Sequence, residues 1–323
     1  MSGGTASAAG QPAIVVAEFM EDGAVAALRA AHATLYDPSL GEEPGRLAGM
    51  LGACRALIVR DRTRVDAALL AFAPRLCVLG RLGVGMENLD LAACRARGVE
   101  VIPALGANAD SVAEYVVLAT GQLLRGGVFG ATAEVAGGGW PRARLGSAGR
   151  EMRGKTLGII GFGDIGRRVA KLARAFGMRV VAHDPVLPND HSGWTETETA
   201  RVGLEELFAC ADAVTLHVPL VPGTERLVSA ARIALMKPGA VLVNTAHGGV
   251  IDEAALAAAL REGRLGGAAL DVFGQEPLHP ASPLAAGCPN LILTPHVAGL
   301  TAESNVRVST LIAERVLVAL AMG

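Results

Sequence analysis

The sequence predicts an α/β protein made of two doubly wound parallel-sheet domains, one inserted into the other. Short apolar runs alternate with helical segments, the alternation comes in two series, and 323 residues suffice for two domains. Runs that are continuously apolar are typical of parallel strands covered on both faces. The first series comprises residues 13–19, 56–60, 77–83 and 99–104, and the second extends from residue 156 to residue 295.

The domain boundaries are predicted from helical segments and a loop-rich connection. A long periodic helix begins near Ala109, and the segment 126–150 after it is rich in Gly and Arg, as in a connector or an arm. An amphipathic segment runs from Thr301 to Leu320. If this segment packs on the first series, the second series is an insertion. We therefore expect one domain of residues 1–108 plus 296–323 and another of residues 109–295.

Composition narrows the classes of function. The formal net charge of −2 and an aromatic content of 3% argue against binding of nucleic acid or of an anionic membrane surface. The longest apolar stretch, residues 112–124, is too short and too interrupted to cross a membrane. Five scattered cysteines without a CxxC pair predict reduced thiols in a cytoplasmic protein, and neither disulfides nor a metal site. Residues 1–12 lack the features of a signal peptide and predict a loose tail.

A glycine-rich turn gives the strongest local signal. The apolar run 156–160 leads into Gly161-Phe162-Gly163-Asp164-Ile165-Gly166, and a helix with one apolar face follows. The first glycine permits a tight turn, the second lets the backbone approach a pyrophosphate, and the third lets helix and strand pack closely. Asp184 follows 18 residues after Gly166, where it can accept hydrogen bonds from the adenosine ribose. The pattern predicts a Rossmann domain that binds NAD. It does not favour NADP, because neither neighbour of Asp184 is an arginine that could bind the 2′-phosphate.

Three further motifs follow in order: NTAHGGVIDEAAL (244–256), ALDVFGQEPL (269–278) and TPHVAG (294–299). Together with the glycine turn, GRLGVGMENLDL (80–91) and SVAEY (111–115), they resemble the D-isomer-specific 2-hydroxyacid dehydrogenases. That family includes phosphoglycerate dehydrogenase and hydroxypyruvate/glyoxylate reductase. The resemblance covers nearly the whole chain and implies an NAD(H)-linked oxidoreductase of small 2-hydroxy acids. It also implies a Rossmann domain inserted in a flavodoxin-like substrate domain.

Two residues fit the proton chemistry of such a reaction. Reduction of a 2-keto acid needs a hydride and a proton for the carbonyl oxygen, and histidine suits the second task because it exchanges protons near neutral pH. His296 follows a predicted strand, and Glu276 follows another. A carboxylate beside an imidazole stabilises its protonated form. We expect Glu276 to bond one ring nitrogen of His296, making the two an acid/base pair.

The resemblance also implies roles for residues around this pair. Asp271 would orient the nicotinamide carboxamide, and Ile165 and Thr245 would line the cofactor. The substrate carboxylate would meet the backbone N–H groups of the glycine loop Leu82-Gly83-Val84-Gly85. Arg60, at the end of a predicted strand, would bind a second anionic group, or be an ordinary solvated charge.

The sequence departs from the family at one position. The family has an arginine in its NTxRG motif that clamps the substrate carboxylate, and this chain has His247 there. Arginine is a permanently charged, bidentate donor, whereas imidazole offers one donor toward the substrate. Three interpretations remain open: His247 still donates to the substrate in a specialised enzyme, the activity is much weakened while another cation such as Arg60 or Arg81 compensates, or the chain binds NAD(H) as a sensor or scaffold with weak or no turnover.

The remaining expectations concern substrate and assembly. The chain stops one helix after His296, which predicts a short form without a regulatory domain. The first half of the chain resembles short bacterial enzymes that act on small acids, including sulfolactate-type substrates. If Arg60 binds a second anion, a sulfonate, a phosphate or a second carboxylate on the substrate would fit. The arm 126–150 lies where the family builds its dimer contact, and Trp140 within it is typical of an interface anchor. We expect a homodimer.

Overall fold

The chain folds into two compact units. The computed structural model describes residues 12–322, so all but one residue of the predicted N-terminal tail lies outside the described part. One unit comprises the chain up to Asn108 together with the chain from Leu300 onward, and the other comprises Ala109–Gly299. The expected return to the first domain at residue 296 falls four residues before the observed one. His296 therefore lies in the second unit, together with Glu276.

A five-stranded parallel sheet forms the centre of the first unit. Its order β2-β1-β3-β4-β5 is the flavodoxin-like order, in which the connection reverses between β1 and β3. Four strands fall within the apolar runs of the sequence, whereas β2 is a half-buried edge strand without such a run. The strands are β1 (Ile14–Val16), β2 (Thr34–Tyr36), β3 (Ala56–Val59), β4 (Val78–Arg81) and β5 (Glu100–Pro103).

Short helices cover the faces of this sheet. Two of them begin at an aspartate whose side chain accepts a backbone N–H of the first turn: Asp66 from Leu69, at 3.0 Å, and Asp90 from Ala93, at 2.9 Å. The helices between the strands are α1 (Asp22–Ala31), α2 (Pro44–Met50), α3 (Ala67–Ala71) and α4 (Leu91–Ala96).

A seven-stranded parallel sheet forms the second unit. Its order β12-β11-β10-β9-β6-β7-β8 is that of a Rossmann domain with one additional strand. The central strands β6, β9 and β10 are buried along their whole length. The strands are β6 (Thr156–Ile160), β7 (Arg179–His183), β8 (Ala200–Arg201), β9 (Ala213–Leu216), β10 (Val241–Asn244), β11 (Gly267–Leu270) and β12 (Leu291–Leu293).

Helices pack on both faces of the second sheet. Val112 and Val116 of α5 and Val169 of α8 belong to one apolar cluster, and Leu207 of α10 and Leu256 of α12 belong to another. The helices are α5 (Ala109–Leu124), α6 (Thr132–Ala136), α7 (Arg142–Ala148), α8 (Asp164–Ala175), α9 (Gly193–Glu196), α10 (Leu204–Cys210), α11 (Ala230–Leu235) and α12 (Glu253–Arg261). The arm 126–150 thus contains α6 and α7, joined by an ion pair between Arg144 and Glu134 at 2.6 Å.

The C-terminal helix α13 (Ala302–Met322) returns to the first unit. Its residues Ile312 and Val316 pack against β4 at Gly80, where an added Cβ would lie only 2.8 Å from Ile312. The first domain is therefore discontinuous, and the predicted fold class is confirmed. Within residues 12–322, no helix combines the length and the apolar character that a membrane span requires.

Candidate active site

The glycine turn after β6 has the geometry expected for a dinucleotide. A Cβ at Gly161, where φ is +90°, would overlap the carbonyl oxygen of His217, and one at Gly166 would overlap the carbonyl oxygen of Gly161. The chain's own packing therefore requires these two glycines. Gly163 differs, because a Cβ there would meet no described atom within 4 Å. The space over Gly163, at the start of α8, is open to a ligand, and Asp164 and Ile165 form the first turn of that helix.

Asp184 follows β7 and bonds to the same turn. Its Oδ2 accepts from the N–H of Phe162 at 2.8 Å, and its Oδ1 accepts from Val186 and Leu187 at 2.9 and 3.0 Å. Burial acts to raise the pKa of Asp184, but these three N–H donors outweigh it and hold the pKa below its usual range. The side chain is therefore a fixed anion beside the glycine turn. A carboxylate has about four acceptor positions, so capacity is left for a ribose hydroxyl.

His296 and Glu276 lie together as a hydrogen-bonded pair. Glu276 Oε2 is 2.8 Å from His296 Nδ1, and Glu276 Oε1 accepts from the N–H of Phe273 at 3.0 Å. Both side chains are partly exposed, His296 by 62% and Glu276 by 38%. Because Nδ1 is engaged by the carboxylate, Nε2 is the nitrogen left to exchange a proton with a substrate.

The loops that carry this pair are held by close backbone packing. Gly248 follows His247 and lies against the Phe273–Gly274 peptide, where a Cβ would overlap backbone atoms. Glu253 accepts from the N–H of Gly274 at 2.7 Å. The loop after β10 and the loop after β11 are thereby in direct contact within the second unit.

Asp271 lies at the end of β11 and is almost completely buried, at 1% exposure. Its carboxylate accepts from the Thr294 hydroxyl at 2.6 Å and from the N–H groups of Val297 and Ala298, both at 2.8 Å. Three of its roughly four acceptor positions are thus used by the loop that carries His296.

Thr245 and His247 follow β10. The hydroxyl oxygen of Thr245 is buried and has no hydrogen-bond partner in the described part of the chain. Asn244 shapes this loop, since its Nδ2 donates to the His247 carbonyl at 2.9 Å and its Oδ1 accepts from the N–H of Ala246 at 3.0 Å. Asn244 lies in the quoted NTAHGG motif, but its bracketing role was not predicted.

The remaining predicted residues lie in the first unit. Leu82 and Gly83 donate their N–H groups to the carbonyls of Val59 and Arg81, both at 2.8 Å. Within residues 12–322, the N–H groups of Val84 and Gly85 have no such acceptor. Of the four predicted amides, these two are the ones available to an anion.

Two arginines lie at the ends of the adjacent strands β3 and β4. Arg60 donates to the amide oxygen of Asn305 at 2.6 Å, and its guanidinium lies 6.0 Å from the centre of the Phe19 ring. Arg81 is 8% exposed and covers Gly83, and its Nε is buried with no partner among the described residues. Burial lowers the pKa of both guanidinium groups, an effect that a bound anion would oppose.

Glu18 and Asn88 hold the turn that begins at Arg60, and sequence analysis missed both. Glu18 accepts four consecutive backbone N–H groups, from residues 60 to 63, at 2.8 to 3.2 Å. Asn88 donates to the carbonyls of Arg60 and Thr63 at 3.1 and 2.7 Å. Glu18 lies near the end of the first apolar run, shortly after β1, and Asn88 lies within the GRLGVGMENLDL motif, and these positions were the only sequence features that pointed to a role for them.

The predicted residues of the second unit converge on one edge. Gly161, Asp184, Thr245, Asp271 and His296 each follow the carboxyl end of a parallel strand, which is where such sheets bind ligands. The open space at Gly163 and the unpartnered Thr245 hydroxyl fit a dinucleotide at this edge.

Comparison with known proteins agrees with this geometry. The NAD binding domain of the D-isomer specific 2-hydroxyacid dehydrogenases matches residues 122–298. The chain is 48% identical to the (S)-sulfolactate dehydrogenase of Chromohalobacter salexigens over 304 residues, which cover 94% of this chain and 96% of that enzyme. The chain belongs to this family. It is therefore an oxidoreductase that transfers a hydride between NAD(H) and a small 2-hydroxy or 2-keto acid.

Two further proteins are similar to this chain but differ from it in length or sequence. The D-3-phosphoglycerate dehydrogenase of Methanocaldococcus jannaschii is 41% identical over 262 residues, which cover 80% of this chain but only 48% of that enzyme. The match thus spans about half the length of that relative. The crystal structure of D-mandelate dehydrogenase from Rhodotorula graminis superposes with a TM-score of 0.83 at 26% identity, covering 95% of this chain and 93% of that one.

Proposed function

We propose that this dehydrogenase acts on a 2-hydroxy acid with a second anionic group, and that sulfolactate and sulfopyruvate are its first candidate pair. The observation that carries this proposal is the buried Arg81, whose Nε has no partner in the described residues, beside the partly buried Arg60. Burial of a cation is costly, and Asp61, Glu18 and Glu87 offset only part of that cost for Arg81, whose pKa stays lowered. A dianionic substrate would offset more of it. The similarity to a sulfolactate dehydrogenase supports the same substrate class.

The residues of the two units have different roles in the proposed reaction. NADH bound at the glycine turn of the second unit would supply the hydride. His296 Nε2 gives its proton to the keto oxygen while Glu276 stabilises the imidazolium, and the reverse reaction returns the proton to His296. In the first unit, the N–H groups of Val84 and Gly85 would bind the carboxylate, and Arg60 and Arg81 would bind the second anion. His247, in the second unit, would replace the family arginine as a donor.

The cofactor preference belongs to the same proposal. The fixed negative charge of Asp184 beside the glycine turn opposes a 2′-phosphate, so NAD is preferred to NADP. The first unit then serves as the substrate domain and the second as the cofactor domain.

Assembly and location complete the proposal. Phe129, Val135 and Trp140 of the arm are exposed apolar side chains, which supports a homodimer contact there. The five free cysteines support a reducing, cytoplasmic location.

The test is NADH oxidation across sulfopyruvate, 3-phosphohydroxypyruvate, hydroxypyruvate, pyruvate and glyoxylate. We expect sulfopyruvate to have the highest kcat/KM. Arg60→Met keeps an unbranched side chain but removes the charged guanidinium, and should lower kcat/KM for sulfopyruvate about 30-fold or more, with little effect on pyruvate. Arg64→Met, at an exposed arginine four residues away, is the matched control. A preference for a monoanion, or an equal loss on all substrates, would refute the dianion site.

Two histidine variants test the chemistry in the same assay. His296→Ala should lower kcat about 100-fold or more on every substrate, because it removes the proton donor. His247→Ala should raise KM or lower kcat/KM on every substrate, while NADH binding is retained in both variants. Full turnover by His296→Ala would exclude it as the acid/base residue.

A further inference from the structure

The loop that carries His296 is hydrogen-bonded to one buried carboxylate, that of Asp271. Besides the three bonds to the Asp271 side chain, the N–H of His296 donates to the Asp271 carbonyl at 2.9 Å. The bonds engage residues on both sides of His296, which itself adopts a left-handed backbone conformation with φ of +55°. Such a conformation is costly for a residue with a side chain and persists only where its surroundings fix it.

The bonds to Thr294 have a defined direction. A threonine hydroxyl has one hydrogen, and Asp271 as a carboxylate can only accept, so Thr294 donates to it at 2.6 Å. The Tyr115 hydroxyl is 2.7 Å from the same Thr294 oxygen and must therefore be the donor in that contact. Burial raises the pKa of Tyr115, which keeps this donor protonated. Three groups thus form the chain Tyr115 to Thr294 to Asp271.

We propose that Tyr115 and Thr294 are positioning residues for the catalytic imidazole, acting through Asp271 and the backbone of residues 296–298. Tyr115 lies on α5, far from His296 along the sequence, and donates the first bond of this relay. It fixes the Thr294 hydroxyl so that its hydrogen points at Asp271. Asp271 then holds the Val297 and Ala298 amides that set the direction of His296. The proposal rests on the acid/base role proposed for His296.

The effect should be on the chemical step and not on binding. A displacement of a reacting group by a fraction of an ångström lowers kcat while leaving substrate contacts in place. The variants are Tyr115→Phe, Thr294→Val and Thr294→Ser, and Tyr36→Phe is the matched control. Tyr36 is the other tyrosine of the chain and lies on β2 in the first unit.

We expect Tyr115→Phe and Thr294→Val each to lower kcat about 5- to 10-fold, with KM and NADH affinity unchanged. Thr294→Ser retains the hydroxyl and should restore most of the activity. Because both residues act in one chain, the double variant should lose little more than Thr294→Val alone. Tyr36→Phe should keep full kcat.

Hydrogen exchange gives a readout that does not depend on turnover. The amides of Val297 and Ala298 should exchange about 5- to 10-fold faster in Tyr115→Phe than in the wild type, and the amides of β6 should be unchanged. If the Val297 and Ala298 amides exchange faster in Tyr115→Phe but the wild type turns over no substrate, the acid/base function of His296 is refuted. The hydrogen-bond chain would then have a structural role only. Unchanged exchange, additive losses, or a loss confined to KM would overturn the relay itself.

Discussion

Three buried or partly buried carboxylates hold the loops of this molecule by the same physical device. Glu18, Asp184 and Asp271 each follow a parallel strand, and each accepts at least one backbone N–H group from another loop and three or more hydrogen bonds in all. A carboxylate removed from water must be compensated, and consecutive amides provide compensation without a counter-ion. The loops held in this way carry Arg60, the glycine turn and His296, so the buried acids fix the geometry of the functional groups.

Glu18 allows a prediction on pH. Burial acts to raise the pKa of Glu18, but the backbone N–H groups of the 60–63 turn outweigh burial and hold it below its ordinary value. A depressed pKa contributes stability above the unfolded-state value, and that stability is lost as the pH falls through the folded-state value. We therefore expect the free energy of unfolding to decrease below about pH 4.3, the ordinary pKa of a glutamate.

Glu18→Gln isolates this contribution. The variant should be less stable than the wild type at pH 7, by about 1–3 kcal/mol, because an amide cannot accept all four N–H groups. The difference between the two proteins should shrink as the pH falls from 5 to 3. Urea unfolding at several pH values measures it, with Glu42→Gln at an exposed glutamate as control. A difference independent of pH would contradict the assignment.

At the residue scale, the sequence predicted the hydrogen-bonded pair whose two residues both lie in recognisable motifs. It did not predict contacts between residues that only the folded chain brings together. Glu276 and His296 were expected to bond and do so at 2.8 Å. Glu18 with the 60–63 turn and Tyr115 with Thr294 are separated by tens of residues or more, and neither residue type signals its partner. Such contacts depend on the register of neighbouring strands, which a single sequence does not give.

At the scale of elements, the glycine turn contains two glycines that the fold requires and one that we assign to ligand binding. Gly161 and Gly166 are required because other backbone atoms occupy the space where a Cβ would lie, whereas Gly163 faces open space. The three glycines of one motif therefore have different reasons to be glycine. The first lets the turn pass close to the backbone that follows β9, the third lets α8 pack closely on β6, and the second serves the ligand.

Substitution by alanine should reveal this division. Gly163→Ala has no Cβ contact and an unstrained backbone, so the protein should fold with an unchanged Tm. Its NADH affinity should fall about 10-fold or more, since the methyl group would occupy the space of the pyrophosphate. Calorimetric titration with NADH measures this, and Gly146→Ala, on α7 with equally open space, is the control. Retention of NADH affinity in Gly163→Ala would exclude a diphosphate at this turn.

The strands were easier to predict than the short elements. Apolar runs marked the central strands of both sheets, because burial on both faces removes polar residues from them. β2, with three half-buried residues, and β8, with two exposed ones, carry too little apolar signal. The arm was expected to be a loop-rich connector and contains the short helices α6 and α7, whose five and seven residues give no clear helical period.

At the scale of the whole molecule, the discontinuous first domain follows from one helix. The chain enters the second unit at Ala109 and leaves it at Gly299, and α13 completes the core of the first unit through Val308, Ile312 and Val316. Gly80 has no side chain, which lets α13 pack closely on β4. Truncation before α13 would therefore expose this face of β4. The first unit therefore cannot complete its core until α13 has been made.

The arm has a surface that its own unit does not cover. Trp140 is 78% exposed and Phe129 is 66% exposed, and they lie with Val135 on the segment between α5 and β6. Large apolar side chains are uncommon on the surface of a monomer in such proximity along the chain, and they are the typical anchors of a subunit interface. This supports the proposed homodimer, with the arm of each copy contributing to the contact.

Trp140→Glu tests the assembly without disturbing the fold. The side chain is exposed in the single chain, so the charge should not disturb the fold of the subunit, but burial of an unpaired carboxylate in an interface would cost several kcal/mol. We expect the wild type to have twice the chain mass of 32.9 kDa in light scattering after size exclusion, and the variant to dissociate at micromolar concentration. Phe72→Glu, at a 57% exposed phenylalanine of the first unit, should remain a dimer. A monomeric wild type would exclude the homodimer, whereas a variant that stays dimeric would move the interface away from the arm, since a buried Trp140 cannot accept the charge.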